Sequence, residues 1–189
     1  MTPANRFPSF VNELPLTCRA LEFAAQRHRG QRREADQAPF ILHPLEVAQL
    51  LRGRDYPDAV VAAGVLHDVI EDTSVDPGEL ERRFGARVAA LVTAVSEPAG
   101  DGSYRERKAR LRDSITAADA DAVAVFAADK VAKARELRMS LARDPGQLDA
   151  DKHEHYWASL ALLEHRLGHH PLVRQLRFEL EALEILPPT

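Results

Sequence analysis

Leu66-His67-Asp68-Val69-Ile70-Glu71-Asp72-Thr73 is the chemically densest segment of the chain. Read as helix, it sets His67 and Glu71 four residues apart, Asp68 and Glu71 three, and Asp68 and Asp72 four. An imidazole and three carboxylates then share one side of about one and a half turns. Acids that close repel one another unless solvent or a counter-charge intervenes. The neighbours Val60, Val61, Ala62, Ala63, Val65, Leu66, Val69 and Ile70 are apolar, so the segment reads as a partly buried helix and a divalent metal is the simplest counter-charge. Imidazole with carboxylate suits Mn2+, Fe2+ or Zn2+ better than a soft ion. A His-Asp pair alone is more often a satisfied helix histidine beside a surface aspartate, but two further residues weigh against that reading. His43 directly precedes Pro44 at a helix start, and Asp129 interrupts a run of small apolar residues, where an unpaired carboxylate is costly.

The elements that must hold these groups read as helices throughout, because apolar residues recur at helical spacing and strand-like alternation is absent. Leu21, Ala24, Ala25 and His28 share a face, with Gly30 as a stop. A loop over 31–42 leads to a helix with Pro44 at its first position and His43 near the cap. The next helix starts near Pro57 and Asp58 and runs without a break through His67 to Ile70. Asp76 with Glu79, and Ser103 with Glu106, read as capping boxes, the second opening a strongly charged helix. Helices over 86–96, from about 120, over 152–167 and over 171–185 complete the set, broken by the loop at 98–102 and by Asp144-Pro145-Gly146. The expectation is an all-α fold, one helical bundle over 1–189, with 1–14 as an N-terminal extension and 186–189 as a tail.

Composition narrows the function classes. Of 189 residues 45% are hydrophobic and 29% charged, the net charge is −4, and no long basic run is present. This disfavours binding to a nucleic-acid polymer, which rests on clustered Lys and Arg. The single cysteine, Cys18, excludes an internal disulfide and a Cys-based zinc site. With no apolar run of leader or bilayer-spanning length, the expectation is a cytoplasmic protein without a membrane partner. Whether it forms a homo-oligomer is left open.

The order His43, then His67-Asp68, then Asp129 resembles the HD superfamily of metal phosphohydrolases. The stretches Phe23-Ala24-Ala25-Gln26-Arg27-His28-Arg29-Gly30-Gln31-Arg32-Arg33 and Pro39-Phe40-Ile41-Leu42-His43-Pro44-Leu45-Glu46-Val47-Ala48 are similar to the opening of the RelA/SpoT-type hydrolase domain. So are Gly64 to Thr73, Phe84-Gly85, Ala128-Asp129-Lys130 and Arg135-Glu136-Leu137, the likeness thinning after Arg138. At this length the chain resembles the stand-alone small alarmone hydrolases, the animal SpoT-homologue enzymes among them. The resemblance implies a single HD-domain bundle in which His43, His67, Asp68 and Asp129 hold one Mn2+ or another divalent metal. It makes Glu71 and Asp72 the acidic pair that positions and activates the attacking water. Arg32 and Arg33 match the basic pair that contacts the nucleotide. The implied reaction removes the 3′-pyrophosphate of (p)ppGpp, giving GDP or GTP and pyrophosphate.

Three departures bear on the substrate. Ala132 and Lys133 stand where the family commonly has an aromatic or His followed by Asn, and Phe40 replaces a frequent Tyr. Lys133, one turn beyond Asp129, either supplies positive charge to a phosphate or points to solvent. These changes admit another nucleotide substrate, such as pppApp or NADPH, or a non-catalytic alarmone-binding module, although a pure binder has no need of Glu71 and Asp72. Lys108, within the basic stretch Arg105 to Arg112, either meets the substrate or belongs to a solvated helix face. His153, His155 and His165 read as surface histidines, and Trp157, Leu160 and Leu163 as core.

Overall fold

The computed structural model describes residues 7–143 and 149–185. Among these, a 3-10 turn at Ser9–Glu13 precedes ten α-helices: α1 (Pro15–Arg27), α2 (Leu42–Arg52), α3 (Asp58–Leu66), α4 (Val69–Asp72), α5 (Pro77–Phe84), α6 (Ala86–Val95), α7 (Tyr104–Ala117), α8 (Ala120–Arg143), α9 (Ala150–Leu167) and α10 (Pro171–Ile185). The fold is all-α, as the periodicity predicts; its one extended pairing is an isolated bridge between Arg32 and Pro39. The break proposed at 144–146 and the tail at 186–189 lie outside the described residues, as does the start of the extension. Val11 and Leu14, from the rest of that extension, are buried in the core.

Two helices form the centre. All of α3 from Val60 to Leu66 is buried, as is α8 from Ala122 to Ala132, which is how a helix apolar on every side is accommodated. α3 packs against α1, α2, α6 and α8. α2 approaches α3 so closely that a Cβ built on Gly64 would lie 2.5 Å from Leu51 Cδ1 and 3.2 Å from Val47 Cγ1. Polar groups fix the arrangement. The Asp58 carboxylate accepts from the amides of Leu16 and Thr17 at 2.9 Å each, so the first turn of α3 caps α1, which has no cap of its own. Arg135 on α8 joins Glu46 on α2 at 2.8 Å to Glu179 on α10 at 3.0 Å.

Ser103 with Glu106 forms the full reciprocal box, whereas at Asp76 only the N-cap half forms: the amide of Glu79 donates to Asp76, but the Glu79 carboxylate turns to Arg27 and Arg83. Two further expectations are corrected. The segment 58–72 is not one helix: α3 ends at Leu66 and α4 begins at Val69. The His67 ring donates from Nδ1 to the carbonyl of Gly64 at 2.8 Å, an acceptor that an uninterrupted helix would give to the amide of Asp68. His155 is not a surface histidine. It is 4% exposed and accepts at Nδ1 from Arg112 on α7 at 2.7 Å, because the α9 face carrying it is covered by α7 and α8.

Candidate metal centre and adjoining cleft

His43 comes from the first turn of α2, His67 and Asp68 from the joint between α3 and α4, and Asp129 from the buried half of α8. The fold thus brings four groups from three sequence-distant segments to one point. His43 Nε2 lies 3.2 Å from His67 Nε2, 3.2 Å from Asp129 Oδ1 and 3.6 Å from Asp68 Oδ2. His67 Nε2 lies 3.1 Å from Asp68 Oδ1 and 3.4 Å from Asp129 Oδ1. Donors about 2.1 Å from a common ion are about 3.0 Å apart on the edges of an octahedron and about 3.4 Å apart on those of a tetrahedron, so the spacings fit.

The proton positions favour a cation as well. His67 gives its Nδ1 hydrogen to the Gly64 carbonyl, and His43 Nδ1 lies 2.9 Å from Glu136 Oε1, a carboxylate acceptor. In their neutral form both rings then turn an Nε2 lone pair towards the same point. Asp68 Oδ2 and Asp129 Oδ1 are buried there with no hydrogen-bond partner, an arrangement that costs energy unless a positive charge sits among them. Burial works against charge on His67, yet Asp68 and Asp129 raise its pKa well above the imidazole range. Burial likewise opposes ionisation of Asp129, but Lys130, at 2.8 Å from Oδ2, and the two imidazoles hold it well below the usual range. Asp68 is lowered against the same penalty by His67 and Lys133.

Glu71 and Asp72 stand exposed at the rim. Glu71 Oε1 accepts from the amide of Glu97 at 2.8 Å, which holds that side of the carboxylate. Partial burial, and then the charge of Asp68, raise the pKa of both carboxyls, the direction that suits a general base near neutrality.

A cleft of about 670 Å3 opens beside this cluster, lined by Gln31, Arg32, Arg33, Glu34, Ala35, Phe40, Asp72, Tyr104, Lys108, Lys133, Glu136, Leu137, Ser140, Lys152 and Tyr156. It contains all four basic residues singled out from the sequence. Lys133 does not point to bulk solvent: its ammonium lies 3.9 Å from Asp68 Oδ2 and 5.4 Å from the centre of the Phe40 ring, and Asp68 and Asp129 raise its pKa against the burial penalty. Lys108 pairs with Glu97 and covers Tyr104. Arg32 is exposed, held only through the Gln37 carbonyl at 3.2 Å. Arg33 is different, since Asp36 grips its Nε and Nη2 while Nη1 lies 3.7 Å from Glu136. Ala132 is fully buried rather than facing the cleft.

Sequence reasoning gave no role to Tyr104, Lys152 or Tyr156, which reach the cleft from α7 and α9 and carry no local motif. It also passed over Glu136, whose position two turns after Asp129 puts both on one face of α8. That spacing was a usable signal.

An HD domain family model matches residues 20–169. The guanosine-3′,5′-bis(diphosphate) 3′-pyrophosphohydrolase of Aquifex aeolicus is 31% identical over 167 residues, covering 87% of this chain and 23% of that protein. A probable enzyme of the same name from Synechocystis sp. is 45% identical over 82 residues, covering 43% of this chain and 11% of that protein. The chain therefore spans between 11% and 23% of the length of these two relatives. Among solved structures, a metazoan ortholog of SpoT that hydrolyses ppGpp superposes with a TM-score of 0.76 at 24% identity, over 96% of this chain and 100% of that one. The lmo0812 protein of Listeria monocytogenes gives 0.68 at 24% identity, over 75% and 97%. These two establish a shared fold. With the family match extending from α1 to the end of α9, over all four converging residues, the chain belongs to the HD domain family.

Proposed function

We propose that this protein is a Mn2+-dependent phosphohydrolase that removes the 3′-pyrophosphate of (p)ppGpp, giving GDP or GTP and pyrophosphate. The observation that carries the reading is the convergence of two imidazole nitrogens and two buried carboxylates at one end of a cleft carrying Arg32, Lys108, Lys133 and Lys152. The 31% identity to the Aquifex enzyme supports the substrate.

His43, His67, Asp68 and Asp129 would hold the metal. When bound, Mn2+ acidifies water and polarises a phosphoryl oxygen. Glu71, with Oε1 fixed by the Glu97 amide, orients the attacking water through its free oxygen, and Glu71 or Asp72 takes the proton. A bond forms from the water oxygen to the phosphorus on the ribose 3′-oxygen, the 3′-O–P bond breaks, and the 3′-oxygen leaves with a proton. Lys133 and Lys108 offset the charge on the pyrophosphate, while Tyr104 and Tyr156 offer aromatic faces to the nucleoside. Arg32 is free to reach a 5′ phosphate or stack on the base.

The test is product release from ppGpp, pppGpp, pppApp and NADPH, each with and without Mn2+, comparing wild type with Asp68→Ala. Mn2+-dependent pyrophosphate release from ppGpp or pppGpp, absent in the variant, is the expected outcome. Intact ppGpp alongside pyrophosphate from pppApp, or orthophosphate from NADPH, would keep the chemistry and replace the substrate. Lys133 favours that second reading, since an ammonium beside Asp68 departs from the common family pattern. The same cluster and cleft also fit binding without turnover; metal-loaded protein that binds ppGpp and leaves every nucleotide intact would establish that reading.

A further inference from the structure

Glu136 lines the cleft and also reaches the back of a histidine of the metal cluster. Its Oε1 lies 2.9 Å from His43 Nδ1, and the same oxygen lies 3.7 Å from Arg33 Nη1. The three groups are nearly enclosed, with side-chain exposures of 0% for His43, 12% for Glu136 and 10% for Arg33. Arg33 is fixed from its other side by Asp36 in the loop between α1 and α2. A continuous polar chain therefore runs from Asp36 through Arg33 and Glu136 to His43.

We propose that Glu136 is a positioning residue for the metal centre, locking the His43 ring so that Nε2 faces the ion, and that Arg33 acts by holding Glu136 rather than by binding a substrate phosphate. The chemistry is that of a carboxylate behind a metal-bound imidazole: the acceptor fixes the tautomer, sets the ring angle and makes the ligand nitrogen more basic. Arg33 offsets a buried negative charge that would otherwise be costly beside two further carboxylates. The guanidinium has its Nε/Nη2 edge committed to Asp36 and its remaining nitrogen, Nη1, turned to Glu136, so a side-on bidentate grip on a phosphate would require breaking the Asp36 contacts. The inference rests on the metal reading of the cluster and is independent of which nucleotide is cleaved.

The experiment is titration of the full-length chain with Mn2+ against a chelating indicator, read as a dissociation constant with no turnover involved. Glu136→Ala is expected to weaken Mn2+ binding about 10- to 100-fold. Glu136→Gln retains an oxygen acceptor for the imidazole N–H in nearly the same volume, and is expected to lose only a few-fold. Arg33→Met is expected to lower Mn2+ affinity by a smaller factor than Glu136→Ala. Wild-type affinity in both Glu136 variants overturns the positioning role. Unchanged Mn2+ affinity in Arg33→Met with a raised KM overturns the assignment of Arg33 and returns it to the substrate. A wild-type chain that binds no Mn2+ overturns the metal reading and the inference together, a result distinct from equal binding by wild type and variants.

Discussion

Asp68 and Glu71 are three residues apart and meet opposite environments. Asp68 faces inward among His43, His67 and Lys133, whereas Glu71 reaches the rim and is pinned by the Glu97 amide. The two should separate cleanly by mutation. Glu71→Ala is expected to bind Mn2+ like wild type while kcat falls about 10²- to 10⁴-fold, the usual range for a lost general base. Asp68→Ala is expected to lose Mn2+ binding and turnover together; paired titrations and rate measurements decide between these patterns. Lys133→Met should raise KM for a pyrophosphorylated nucleotide more than it lowers kcat, while Lys133→Arg retains most of the affinity; steady-state kinetics check both. The four converging residues were legible in the sequence, because a histidine before a helix proline and an aspartate inside an apolar run are locally anomalous. The link from Arg33 to Glu136 was not, since it joins a loop arginine to α8, which only the folded chain brings together.

At the scale of the helix, the joint after Leu66 matters most. Val65-Leu66-His67-Asp68-Val69-Ile70 reads as unbroken helix, and no glycine or proline marks the interruption. At the break the His67 ring takes the Gly64 carbonyl, a contact that propensity cannot report. Helix order, the N-caps at Asp76 and Ser103 and the span of α10 were readable, because caps and apolar spacing are local signals. Gly64 carries a second constraint. Alanine ordinarily stabilises a helix interior by about 1 kcal/mol over glycine. Here the added methyl would sit 2.5 Å from Leu51 Cδ1 and 3.2 Å from Val47 Cγ1, and overpacking typically costs about 1–3 kcal/mol. Gly64→Ala is therefore expected to lower the urea midpoint despite its better propensity, and to weaken Mn2+ binding by displacing the carbonyl that orients His67. A raised midpoint with unchanged Mn2+ affinity would show that Leu51 swings aside freely.

Over the whole molecule, α7 and α9 pack on the α8 core through a histidine that no periodicity marked as buried. His155 accepts from Arg112, lies edge-on to Tyr104 with ring centres 6.2 Å apart, and neighbours Tyr156 at 5.6 Å. Burial, then the charges of Lys130, Lys108 and Arg112, push its pKa down to about 2, with Asp129 opposing weakly. Below pH 6.5 the unfolded chain therefore takes up a proton that the folded one refuses. A base with a depressed folded pKa contributes its full share of stability above its unfolded value and loses it as pH falls. The slope for one proton is about 1.4 kcal/mol per pH unit, so the loss between pH 6.5 and pH 5 is at most about 2 kcal/mol. The carboxylates held low by Lys130 and the imidazoles titrate at more acid pH. The raised carboxyls of Glu71 and Asp72 act in the opposite sense and the lowered His170 in the same sense, so the His155 contribution is read as the difference between wild type and a variant. His155→Gln retains an acceptor for Arg112 and removes the titration. Urea unfolding from pH 7 to pH 5 should show the wild-type midpoint falling faster than that of the variant. Parallel lines would mean that α9 parts from α7 readily enough for His155 to protonate in the folded protein, which would place the cover over Tyr104 and Lys108 among the moving parts of the cleft.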